Sequence, residues 1–205
     1  MSGLLICITT GCVTAGDDLQ WWNRITIQKN LGQKTKAYLD EEFRIGDDIG
    51  ELYFHRTNFG IRHDLSSRFY YSVDYWYSTQ IKGNTRIEEH KPHFSIAIRS
   101  ALRPFRFEIR NRLEWRMIEH AERSWRNRVR LKATLNEAGI SLKPYIADEL
   151  FILLDEKEID QNRIYLGATI ALPGPFSLDC YYLLDMKNRD TWIQDHVIGT
   201  AFGIG

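Results

Sequence analysis

The chain has 205 residues, enough for one domain or one small-to-medium barrel, and its 27 basic and 27 acidic residues cancel. That balance gives no global attraction to nucleic acid, and 13% aromatic residues with few glycines and prolines exclude a disordered chain. A mean hydropathy of −0.38 is too polar for helical membrane spans, but a transmembrane barrel pairs one apolar face with one polar face and averages to such values.

In chain order, Gly3 to Ala15 reads GLLICITTGCVTA, a short apolar run closing on small residues at Val13 and Ala15. This predicts a secretory signal over residues 1–15, cut after Ala15, although no Lys or Arg precedes the run. A lipoprotein signal through Cys12 fits less well, because Thr9 stands where Leu is expected. With Cys7 and Cys12 removed, Cys180 is left alone and no disulfide framework exists. No later segment holds about 18 consecutive apolar residues, so a spanning helix is excluded.

From Asp18 onward, hydrophobicity alternates with period two, the signature of strands with one apolar and one polar face. Leu19, Trp21, Ile25 and Ile27 share a face, and so do Phe69, Tyr71, Val73, Tyr75 and Tyr77. The clearest strand runs from Phe105 to Met117. Its odd positions are Phe105, Phe107, Ile109, Asn111, Leu113, Trp115 and Met117; its even positions are Arg106, Glu108, Arg110, Arg112, Glu114 and Arg116. A helix would scatter both sets over every face, whereas a strand separates them. Trp125, Val129, Leu131, Ala133 and Leu135 alternate with Arg126, Arg128, Arg130 and Lys132. Ile164 to Leu172 and Phe176 to Met186 repeat the pattern.

Tight turns are expected at Leu31-Gly32, Asp64-Leu65-Ser66, Leu102-Arg103-Pro104, Glu137-Ala138-Gly139 and Pro173-Gly174-Pro175. Longer, more charged connections are expected over Asp47–Gly50, Gln80–Asn84, Glu119–Ser124, Asp155–Asp160 and Lys187–Asp190. One hairpin then recurs about every 36 residues. Short periplasmic turns on one rim and longer extracellular loops on the other is a transmembrane-barrel layout. The segments number about eleven; because single-chain bacterial barrels normally have an even count, twelve strands are expected, with ten as the alternative.

Alternation alone does not say which face is outside. Tyr53, Tyr75, Tyr77, Trp115, Trp125 and Trp192 gather toward one rim, and Phe59, Phe69, Tyr71, Phe105, Phe107, Phe176 and Phe202 toward the other, with Val73, Ile96, Ile109, Ala133, Ile146 and Ala168 between. Two aromatic girdles around an aliphatic band predict an antiparallel transmembrane β-barrel over residues 16–205. The alternating end, Ile198, Thr200, Phe202 and Ile204, is similar to the last strand that outer-membrane proteins present to the barrel assembly machinery, except that Gly205 replaces the usual final aromatic. The expected setting is the outer membrane of a Gram-negative bacterium, with lipid and lipopolysaccharide as surroundings and no nucleic-acid partner. A soluble periplasmic barrel enclosing a lipophilic ligand is the inverse arrangement.

The run DLQWWNRITIQKNLGQKTKAYLDEEFRIGDD, the strands YSVDYWYS, HFSIAIRS and FRFEIRNRLEWR, and the ending HVIGTAFGIG resemble the domain-of-unknown-function family 2490 over nearly the whole mature chain. The resemblance implies an outer-membrane barrel and a location, and no activity or functional residues.

With the apolar face outward, the polar face lines a lumen. Arg106, Arg110, Arg112 and Arg116, then Arg126, Arg128, Arg130 and Lys132, form a basic track that Glu108 and Glu114 offset only in part. Acidic residues stand on other walls: Asp40 and Glu42 early, and Glu149, Asp179, Asp185 and Asp195 late. This pattern suits a small channel for anionic solutes, since arginine forks hold carboxylates and rings of basic residues select anions. The same residues also suit a closed barrel, its narrow lumen filled by ion pairs. No catalytic constellation, metal-ligand spacing or cofactor motif is found. His93 and Ser95 share a face with Lys91 and Arg99 and so point into the lumen; Glu88-Glu89-His90 reads as a solvated strand end.

Overall fold

The computed structural model describes residues 18–136, 141–189 and 191–205. The expected signal segment, the turn at Glu137-Ala138-Gly139 and Asp190 lie outside the described residues. Eleven strands follow one another without a helix among the described residues: β1 (Asp18–Asn30), β2 (Thr35–Gly46), β3 (Glu51–Asp64), β4 (Phe69–Lys82), β5 (Thr85–Leu102), β6 (Phe105–Ile118), β7 (Ser124–Leu135), β8 (Leu142–Leu153), β9 (Glu158–Ala171), β10 (Phe176–Arg189) and β11 (Thr191–Ile204). Each pairs with its neighbours in sequence, and β1 closes on β11.

Among the described residues the count is eleven, between the expected twelve and the alternative ten. In an up-and-down meander an odd count makes the first and last strands run the same way, so the closing pair is parallel, from Asp18 opposite Asp195 to Ile27 opposite Ile204. All ten other pairings are antiparallel. The seam needs no partner strand, because parallel ladders satisfy the backbone as completely as antiparallel ones. It also puts Asp18 and Gly205 on opposite rims.

Among the described connections the expected contrast of short turns and long loops is not found. Connections 31–34, 65–68, 103–104 and 172–175 on one rim are matched by 47–50, 83–84, 119–123 and 154–157 on the other. The charged residues that read as loop are strand: Ile81 and Lys82 pair with Arg86 and Thr85, and Lys187 to Arg189 pair with Ile193 to Thr191. What distinguishes the rims is charge. Among the described connections, the first rim carries Lys34, Arg68 and Arg103, and the second carries Asp47, Asp48, Glu119, Glu122, Asp155 and Glu156 against Arg123 and Lys157. We call them the basic and the acidic rim.

The alternating faces separate as expected. Outward positions expose Val73, Ile96, Ile109, Leu131, Ile146, Leu166 and Ile198, while inward positions bury Glu42, Arg56, Asp74, Arg112, Glu114, Arg128, Glu149 and Asp185. A barrel enclosing a lipophile is therefore overturned: the interior is charged. A small apolar cluster of Trp22, Leu183 and Val197 sits inside the parallel seam. Interior aromatics fit because glycines face them; a Cβ at Gly199 would overlap the Tyr181 ring, and one at Gly60 would overlap Tyr38, whose hydroxyl donates to Asp74.

The girdle aromatics Tyr75, Trp125, Trp192, Phe105 and Phe107 are exposed, and Tyr77, Trp115 and Phe202 share their outward face. Trp115 stands opposite Trp125 with rings stacked at 5.9 Å, and Phe176 stacks on Phe202 at 5.7 Å. Tyr53 is a correction. The β2–β3 register slips between Arg44 and Ile45, so Tyr53 turns inward and its hydroxyl donates to Gln20 Oε1 at 2.7 Å. A bulge reverses a side chain without changing the sequence alternation around it.

Candidate functional site

The lumen is the site. β6 and β7 run side by side, so Arg106, Arg110, Arg112, Arg116, Arg126, Arg128, Arg130 and Lys132 share one inner wall. Like charges in such a row require carboxylates from elsewhere. Glu114 provides the first group of pairs: it is fully buried, accepts from Arg126 at 2.8 Å and from Arg128 at 2.8 Å, and has Arg112 at 3.9 Å. Arg128 reaches across to Glu149 on β8 at 3.0 Å, and Arg110 meets the other Glu149 oxygen at 3.1 Å. Arg128 therefore ties two buried carboxylates together.

The remaining expected acids pair on other walls. Asp185 accepts two bonds from Arg163 at 3.1 and 3.3 Å and one from Gln161 at 2.5 Å. Asp195 meets Lys187 at 2.5 Å. Glu108 meets Arg99 at 3.0 Å near the basic rim. Asp179 instead accepts hydroxyl protons, from Tyr145 at 2.9 Å and Thr169 at 3.0 Å. Of the basic track, Arg106 is exposed at its rim, Lys132 lies over the Tyr145 ring at 3.6 Å, and Arg130 lies over Tyr165 at 5.0 Å.

Several contributors escaped the sequence reading. Glu89, expected to be solvated, points inward between Lys91 at 3.2 Å and Arg116 at 2.7 Å. Arg44 and Arg56, absent from the expected basic track, bind the expected lumen acid Glu42 at 2.6 and 2.9 Å. Trp76 is surrounded by cations: Arg56 at 4.1 Å, Lys91 at 4.6 Å, Arg112 at 5.2 Å and Arg128 at 5.4 Å from the ring centroid. Phe151 takes Arg128 at 4.4 Å and both Arg126 and Arg163 at 4.9 Å. Such ring faces offset positive charge without adding a carboxylate. The signal available in the sequence was a pair of large aromatics on each of these otherwise mostly polar faces, Tyr70 with Trp76 on β4 and Tyr145 with Phe151 on β8. His93 and Ser95 are buried inside as expected, with the His93 ring edge-on to Trp76 at 5.0 Å and Ser95 accepting from Arg112 at 3.1 Å.

Two chambers occupy the lumen. A vestibule of about 360 Å³ opens toward the acidic rim, and nine cationic side chains line it against the carboxylates of Glu89 and Asp160. A central cavity of about 140 Å³ lies beyond it. Arg44, Trp76, Arg128 and Arg163 border both and so stand between them. Among the described residues, no group of three His, Cys, Asp or Glu side chains gathers as a metal site.

A family model described as "Protein of unknown function (DUF2490)" matches residues 19–195, nearly the entire barrel. The chain belongs to the DUF2490 family. Comparisons with curated proteins and with solved structures return no match. Within this DUF2490 barrel the matched span includes the whole of the basic track and its acidic partners.

Proposed function

We propose that this DUF2490 barrel sits in the outer membrane of a Gram-negative bacterium, surrounded by lipid and lipopolysaccharide and folded by the barrel assembly machinery, with a cation-rich lumen that admits anions and is shut at mid-height. The observation that carries the membrane reading is the inversion of faces: aliphatic and aromatic side chains outside, charges inside. Polar groups on the outer face support it, because they pair with each other across strands. Asn111 and Asn127 exchange bonds at 3.0 and 3.1 Å, Asn162 donates to Asp148 at 2.7 Å, and His55 meets Glu41 at 2.8 Å. Unpaired polar groups in hydrocarbon are costly, and this pairing removes most of that cost.

Of the two expected lumen functions, the geometry favours the closed one. The ring of Arg44, Trp76, Arg128 and Arg163 is locked by Glu42, Glu114, Glu149 and Asp185, so an open path requires breaking buried pairs. Reconstituted in a planar bilayer, the protein is expected to show no sustained open steps, and liposomes carrying it are expected to exclude neutral disaccharides. Trp76→Ala with Arg128→Ala removes half of the ring and should produce anion-preferring current. A large, non-selective conductance in the unaltered protein would sink the closed-lumen reading and restore a diffusion pore.

A further inference from the structure

We propose that the central cavity is a binding site for a small tetrahedral oxyanion, phosphate or sulfate. This goes beyond the closed-barrel reading, and it rests on interior geometry that is independent of what surrounds the barrel.

Charge comes first. Eight arginines and five carboxylates line the cavity. Glu114 and Asp185 pair with Arg112, Arg128 and Arg163 from behind the lining, and even with these two added, cations outnumber carboxylates eight to seven. Three of the lining carboxylates are already occupied by neutral donors. Asp40 accepts from Thr26 at 2.6 Å and Asn58 at 2.8 Å, Asp74 from Ser72 at 2.7 Å and from Tyr38, and Asp179 from Tyr145 and Thr169. Among the described residues, two of the eight arginines, Arg24 and Arg130, have no carboxylate within ion-pairing distance.

Donor geometry is the second, independent observation. Five N–H groups of residues that line the cavity are buried and lack an acceptor among the described residues: Nε of Arg24, Arg56, Arg128 and Arg130, and Nε1 of Trp76; Asn58 Oδ1 of the same lining lacks a donor. Arg56, Trp76 and Arg128 are only 5%, 8% and 5% exposed. An unmade hydrogen bond from a buried, charged donor is expensive, so five together around one space call for an acceptor. They come from β1, β3, β4 and β7, spread around the circumference, with Arg24 and Arg130 five strands apart by the shorter way round an eleven-strand ring. A planar carboxylate presents its lone pairs in one plane and meets such a set poorly. A tetrahedral oxyanion accepts from all sides and carries the compensating charge. The nine cations of the vestibule concentrate anions on the acidic-rim side of the ring.

The test uses the full folded barrel in uncharged detergent. Trp22 and Trp76 border the cavity, so intrinsic fluorescence reports on it. Phosphate added at constant ionic strength is expected to change that fluorescence saturably and to raise the unfolding midpoint, with sulfate competing and chloride and acetate giving neither. In Arg24→Gln/Arg130→Gln, where no ion pair is broken, the half-saturating phosphate concentration should rise at least about tenfold. Equilibrium dialysis of labelled phosphate against the unaltered protein reads the same site without a variant, with about one phosphate per barrel expected. No saturable binding, an equal response to acetate, or an unchanged half-saturation in the double variant overturns the proposal.

Discussion

Glu114→Ala is expected to destabilise the folded barrel by about 3–5 kcal/mol, the scale of breaking a buried ion pair from one side. Glu114 is fully buried and is the shared anion of Arg112, Arg126 and Arg128. Removing it leaves three guanidiniums close together. Arg128 keeps Glu149, and Arg126 keeps only Asp160 at 3.6 Å, so the uncompensated charge falls mainly on Arg126 and Arg112. Two companion variants separate charge from volume. Glu114→Gln retains an acceptor of the same shape and should lose less. Glu114→Ala/Arg126→Ala should recover part of the loss, because the second change removes a stranded cation. Urea unfolding of the refolded protein, followed by gel mobility, gives the values. A loss below about 1 kcal/mol in Glu114→Ala would mean that water screens the lattice as at a surface.

Leu166→Arg carries the second large effect, and its sign depends on what touches the outer face. Leu166 lies mid-strand on β9, faces outward and is 64% exposed. In hydrocarbon, an arginine near the midplane of a barrel costs about 2–4 kcal/mol, whereas near a rim it costs about 0–1 kcal/mol. Leu142→Arg, at the start of β8 by the basic rim, is the matched control. Refolded into lipid vesicles, the first variant should lose stability and the second should lose little. If the outer face met water, both changes would fall within about 0.5 kcal/mol. Equal, small effects at both positions would contradict a lipid-facing band.

The strands were legible because period two is a local signal. Phe105 to Met117 needs nothing beyond its own residues to separate Arg112 and Glu114 from Leu113 and Trp115, and β6 places them so. The orientation of the faces was legible from where the aromatics gather along each segment. The odd count was legible as well, since about eleven segments stood out; the expectation of twelve came from the even-number rule, which the parallel β1–β11 seam sets aside. Tyr53 was misplaced because the slip beside Arg44 depends on how β2 and β3 pair, and nothing within β3 marks it. Loop lengths were overstated because charge near a strand end was read as loop, although Lys82 and Lys187 stay in the ladder.

The lumen was half legible. The basic track stood out because its arginines crowd onto two adjacent strands. Of their counterions, Glu149 was expected among the lumen acids, but Glu89 on the neighbouring β5 read as a solvated strand end. The sequence displays the cations as a pattern and the carboxylates as isolated residues, so which carboxylate meets which arginine emerges only from strand pairing. Trp22 and Trp76 posed the same difficulty, since a large ring on a polar face looks like an exception until the guanidiniums above it are placed.

Gel mobility of the outer-membrane fraction, with and without boiling, tests the central claim most directly. The inverted barrel predicts a band in that fraction that migrates compactly unheated and shifts on boiling, because a closed ladder with a lipid-facing surface resists detergent at room temperature. A protein recovered in the soluble periplasm, with no heat-dependent shift, would contradict it.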